Sequence, residues 1–228
     1  MLFTLFSAGL PPIYLIAILI AYIGVLVLSL GAHEYAHAFA AYRNGDHTAK
    51  NMGRMSMNPF KHFNAYGFVC LLVLGFGWAD PVPVNPYYFN RGRKSMFQVA
   101  IAGIMANLIL ALFFAMVLGI LNTFAFGFFM GEGFWSVLIF YIVMYGININ
   151  LSLAVFNLLP FYPLDGSKIL ELMLKPENRF LQFLQRYSML ILLALLLFGV
   201  ISFVIDIAIV FLGDGMIMMW SWLFGLFT

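Results

Sequence analysis

Charge is what this chain has least of. Only 9% of its 228 residues are Asp, Glu, Lys or Arg, against 64% hydrophobic ones, where a soluble domain carries about 25% charged residues. That excludes a water-soluble globular protein. Every lysine and arginine falls between Arg43 and Arg186, so neither end bears a basic arm. The basic residues form no stripe interleaved with aromatics, and no nucleic-acid partner is expected. The single cysteine, Cys70, excludes an intrachain disulfide, leaves the redox compartment unread, and reads as a small apolar residue. The segment before Pro11 has no basic residue and runs straight into an apolar stretch, which predicts no cleaved signal peptide. Internal repeats, low-complexity tracts and linkers are lacking too, so residues 1–228 are expected to form one polytopic unit, with a core over 12–175 and additional helices over 187–228.

What the chain does have is apolar runs of membrane-spanning length. The gaps between charges predict helices over about residues 12–42, 95–121, 134–160 and 187–212, each long enough for the roughly 30 Å of hydrocarbon. The apolar tail, residues 216–228, is too short to cross on its own and is expected at the interface. Residues 66–78 are apolar but short and broken by Gly67, Gly75 and Gly77, which predicts a re-entrant hairpin or membrane-embedded strand. The expected class is an all-α membrane protein: about four transmembrane helices, one re-entrant segment and a short C-terminal apolar segment. The basic residues group in the segments after the first helix, before the second and after the third. By the positive-inside rule these face the cytoplasm of a cell (inner) membrane, with the N-terminus outside.

At the end of the first apolar run stands His33-Glu34-Tyr35-Ala36-His37. On a helix, histidines four residues apart share one face with a glutamate beside them, the arrangement that holds Zn²⁺ and a general base. A structural pair of buried histidines is the competing reading, but ionisable groups in a span are costly and are read first as functional. His37 precedes Arg43 by six residues, which puts the site about 10 Å below the cytoplasmic boundary. Two histidines leave zinc short of its usual three protein ligands. Asp165, after the third span and three residues before Lys168, lies at a matching depth. Asp206 lies about 30 Å along the fourth predicted helix from Arg186, and Glu132 belongs to the opposite loop. His47 and His62 read as polar loop residues. Asn107 and Asn157, amides within charge-free helices, are candidates for oxyanion or substrate positioning, with a helix–helix hydrogen bond as the competing role for each. Pro160 and Pro163 are expected to end the third helix just before Asp165. Gly103 and Gly119 read as packing residues.

HEYAH, followed by Asn157-Leu158-Leu159-Pro160-Phe161-Tyr162-Pro163-Leu164-Asp165-Gly166, resembles the site-2 protease family of intramembrane zinc metalloproteases. Gly45-Asp46-His47-Thr48-Ala49, Gly53-Arg54, Asn58-Pro59 and Gly77-Trp78-Ala79-Asp80-Pro81-Val82-Pro83-Val84-Asn85-Pro86 are similar to its compact bacterial branch without a PDZ domain. The likeness covers roughly residues 24–175. It implies His33, His37 and Asp165 as ligands of one Zn²⁺, Glu34 as the base, and cleavage of peptide bonds within or near transmembrane segments of substrates in the bilayer. Two departures stand out. The family's Gly-Pro-x-x-Asn reads Gly103-Ile104-Met105-Ala106-Asn107 here, and Asn64-Ala65 replaces an Asp-Pro pair after His62. Neither touches a ligand. A helical substrate must be unwound to be cut, and the extended Val82-Pro83-Val84-Asn85 offers a backbone edge to hold it. A zinc transporter or a non-catalytic scaffold is the alternative. A transporter would show repeated halves or a path of ligands, and a scaffold is expected to lose Glu34 or a ligand.

Overall fold

The computed structural model describes residues 10–62, 64–67 and 80–226. Among them every regular element is helical. α1 (Pro12–Arg43) starts with proline in its first turn, where a missing N–H costs nothing, and ends at Asn44, whose side-chain amide donates to Ala40 O at 2.9 Å. A short α2 (Thr48–Asn51) and two 3₁₀ turns, Pro59–Lys61 and Pro86–Tyr88, follow. Asn58 and Asn85 cap those turns by accepting from the N–H two residues on. Then come α3 (Arg93–Phe124), α4 (Phe126–Phe129), α5 (Phe134–Leu158), α6 (Asp165–Met173), α7 (Arg179–Leu197), α8 (Val200–Ala208) and α9 (Asp214–Gly225). A π-helical turn, Ile209–Gly213, joins the last two.

α1, α3 and α5 pack on one another as the core of the bundle. Small residues let their backbones approach, as helices in lipid require. A Cβ at Gly146 of α5 would lie 2.2 Å from the Phe114 ring of α3, so the ring is seated where no side chain stands opposite. Phe114, Ala115, Leu118, Val143, Ile147 and Leu151 form the main buried cluster around that contact.

The sequence predicts about four spans, and among the described residues five helices are long and apolar enough to cross, by length and composition: α1, α3, α5, α7 and the continuous Val200–Gly225. The difference lies in the last third. The helix expected over 187–212 is broken at Gly199, which takes the left-handed conformation (φ +71°) that terminates helices. Upstream, α7 begins eight residues earlier than expected, at Arg179, because Asn178 caps it through Phe180 and Leu181. Downstream, the tail expected at the interface is instead the end of a 26-residue element, about 39 Å long. Ile201 meets Leu164 and Leu192, Gly213 lies beside Leu151 and Ile147, and Trp220 and Phe224 lie against Gly119. This element therefore runs antiparallel to α5 and parallel to α3. From residue 68 onward the predicted re-entrant segment, Cys70 included, lies outside the described residues.

Candidate metal centre

α1 carries His33 and His37 one turn apart, both about 95% buried. Their Nε2 atoms lie 3.0 Å apart. Asp165, the first residue of α6, brings Oδ2 to 3.2 Å from His33 Nε2 and 2.9 Å from His37 Nε2. α5 ends at Leu158, ahead of Pro160 and Pro163, and this break frees the chain to turn Asp165 inward. Lys168 Nζ donates to the other carboxylate oxygen, Oδ1, at 2.9 Å.

Both rings are fixed from behind. His33 Nδ1 donates to Asn107 Oδ1 at 2.6 Å, and His37 Nδ1 donates to the Val99 carbonyl at 2.7 Å. Each Nδ1 faces an oxygen acceptor, so each proton sits there and each Nε2 lone pair faces the centre. Asn107 Nδ2 donates onward to Asn150 Oδ1 at 2.9 Å, and Asn150 Nδ2 to Gly146 O at 2.8 Å. Two imidazole lone pairs and a carboxylate oxygen converging in a dry interior repel one another unless a cation joins them. The donor set suits Zn²⁺. Gly103 makes room for it: a Cβ there would lie 2.4 Å from His37 Nε2 and 2.6 Å from His33 Nε2.

Glu34, half-buried beside the cluster, accepts the Val82 N–H at 2.9 Å. The extended chain that supplies this N–H is tied at both ends: Arg54 donates to Asp80 O at 2.8 Å, and the fully buried Asp46 accepts the Asn85 N–H at 2.7 Å. His33, Glu34, His37, Asp165, Asn157, Val82 and Val84 line one cavity of about 710 Å³. Its other walls are largely apolar, among them Leu30, Phe156, Leu164, Leu192 and Leu196.

The remaining sequence candidates fall elsewhere. Asn107 lies fully buried behind His33, and both ends of its amide are engaged, with His33 and with Asn150. Asn157 lines the cavity and donates to Leu153 O. Asn85 spends its N–H on Asp46 and its side chain on the following turn. His47 packs on Tyr42 and His62 bonds Ser56 O. Asp206 is exposed on α8, outside the cluster. Sequence reasoning passes over Asn150, Lys168 and the Val99 carbonyl. An amide in an apolar span is the available signal for Asn150; a backbone carbonyl leaves none.

A His-Glu-x-x-His helix whose metal-donor atoms meet an aspartate within a bundle of membrane-spanning helices defines a membrane-embedded zinc metallopeptidase. The chain belongs to Peptidase family M50, whose sequence profile matches residues 21–198. It is 44% identical over 156 residues, 68% of this chain and 69% of the relative, to "Putative zinc metalloprotease YwhC" of Bacillus subtilis. It is 33% identical over 173 residues, 70% of this chain and 62% of the relative, to "Putative zinc metalloprotease Rip2" of Mycolicibacterium smegmatis. Against the protein of that name from Mycobacterium tuberculosis, identity is 28% over 211 residues, 83% of this chain and 77% of the relative. No solved structure matches the chain significantly.

Proposed function

We propose that this multi-pass membrane protein hydrolyses peptide bonds in or beside transmembrane segments of other membrane proteins, with His33, His37 and Asp165 holding one zinc and Glu34 as the base. The observation that carries this reading is the convergence of the three donor atoms next to Glu34 in an apolar cavity. Bound zinc supplies Lewis acidity toward the scissile carbonyl and water. Glu34, beside the ligands but not among them, takes the proton of the attacking water and returns it to the leaving amine. The Val82 N–H holds the Glu34 carboxylate in place for both transfers. Asn157, at the cavity wall, keeps an amide proton for the developing oxyanion. Leucine and phenylalanine walls admit an apolar segment and exclude bulk water.

The segment Val82–Asn85 positions the substrate. Among the described residues the Val84 N–H has no hydrogen-bond partner, and Val82 and Val84 line the cavity. An extended substrate can pair with that edge, which a helical one cannot. The positive-inside bias of the basic residues supports an active site toward the cytoplasmic side of a cell membrane, in a chain acting as one polytopic unit. The test is cleavage of single-span substrates by purified protein in detergent. Wild type should be active with zinc and silenced by a chelator. Glu34→Gln should keep its zinc and lose about 10²–10⁴-fold in rate. Glu34→Gln cleaving at the wild-type rate would sink the reading, whereas a scaffold or transporter would yield no product from either protein.

A further inference from the structure

A carboxylate can give zinc one oxygen or two. The second would take up the position that a catalytic site must keep open. In this chain the two oxygens of Asp165 are divided. Oδ2 faces the two imidazole nitrogens, and Oδ1 accepts from Lys168 Nζ at 2.9 Å. We propose that Lys168 is a positioning residue that keeps Asp165 a one-oxygen ligand and so reserves an open coordination position on the metal. This rests on the metal-site reading above.

Three observations carry it. First, the far atom of each donor side chain is taken by a partner: Asn107 for His33, Val99 O for His37, Lys168 for Asp165. Only the carboxylate's far atom is itself able to bind metal, so only there does the partner decide how many atoms the ligand offers. Second, the geometry of the pair is imposed. Asp165 and Lys168 stand three residues apart on α6, whose start is pressed against the end of α5. A Cβ at Gly166 would lie 2.2 Å from Leu158 O and 2.4 Å from Leu159 O, and Ser167 Oγ donates back to Leu164 O at 2.7 Å. α6 is therefore held in place, so only rotation of the Asp165 side chain about its own bonds, which the Lys168 contact restrains, could present both oxygens. Third, among the described residues Lys168 is the one lysine or arginine lining the cavity. Its side chain is 42% exposed, so the pair contributes little to folding; what it controls is the choice of oxygen.

Cobalt reads coordination directly, because a four-coordinate Co²⁺ ion absorbs visible light strongly and a five-coordinate one weakly. Metal-depleted protein in detergent would be reloaded with Co²⁺. Wild type should give the strong four-coordinate spectrum, with three protein atoms and one solvent position. Lys168→Met should still take up one ion per chain but give the weaker five-coordinate spectrum, and its cleavage rate should fall tenfold or more. Lys168→Arg should restore the wild-type spectrum. If Lys168→Met does not fold, Lys168→Leu, which likewise has no donor for Oδ1, takes its place. A spectrum unchanged in the uncharged variant, or five-coordinate already in wild type, overturns the proposal while leaving the metallopeptidase reading intact. Failure of wild type to bind cobalt overturns both.

Discussion

Val82 donates its backbone N–H to Glu34 across 48 residues of chain, so the extended segment and the base move as one piece. On the proposed mode of binding, substrate paired along this segment would be registered against the Glu34 carboxylate. Val84→Pro removes the next N–H on the same edge without touching a metal donor. Zinc content should stay at the wild-type level and the cleavage rate should fall at least tenfold. Wild-type turnover by this variant would remove the segment from substrate binding.

Gly103→Ala adds one carbon within 2.6 Å of both Nε2 atoms. Alanine favours a helix over glycine by about 0.8–1.0 kcal/mol, so α3 should form at least as well. Elemental analysis should find less than a tenth of the wild-type zinc on a protein with unchanged circular dichroism. Full occupancy would mean that the ion sits elsewhere.

Asp165→Ala removes a donor atom. It should weaken zinc binding by more than the 10–100-fold typical of losing an outer partner. Asp206→Ala, on the exposed face of α8, should leave zinc binding unchanged. Chelator competition on the two purified variants separates them, and the reverse order would reassign the third ligand.

The course of Val200–Gly225 sets a labelling pattern. Its far end packs beside Phe124, with the Phe224 and Phe124 rings 6.4 Å apart. In a Cys70→Ala background, single cysteines at Thr123 and Gly225 should react with an impermeant reagent from one side of the membrane, and one at Lys175 only from the other. The orientation proposed from the charge bias puts Lys175 on the cytoplasmic side. Labelling of Lys175 and Thr123 from the same side would break the assigned topology.

The limits of α1 and α3 were legible to within three residues, because charge, proline and glycine mark where apolar runs stop. The histidine pair was legible because two polar rings in a span are costly unless they bind something. The break at Gly199 was not. It lies within an unbroken apolar run, so hydropathy is level across it, and only a backbone angle distinguishes it from a packing glycine. Asp206 shows the consequence: a depth reckoned along one straight helix fails because the chain turns seven residues before it, and the face it occupies keeps it from the cluster. Asn107 was ambiguous for a different reason. An amide in a span must have partners, but which ones depends on contacts 74 and 43 residues away.

The relay from His33 through Asn107 and Asn150 to the Gly146 carbonyl means that the imidazole's tautomer is decided two helices away. Gly146 is also the residue that seats the Phe114 ring. One turn of α5 thus carries both the steric lock between two membrane helices and, at Asn150, the interhelical hydrogen bond to Asn107 that backs a metal-donor ring. Rotation of α5 would unseat the one and loosen the other together, so assembly of the bundle and readiness of the histidine are a single event, reached only when α5 has docked in register.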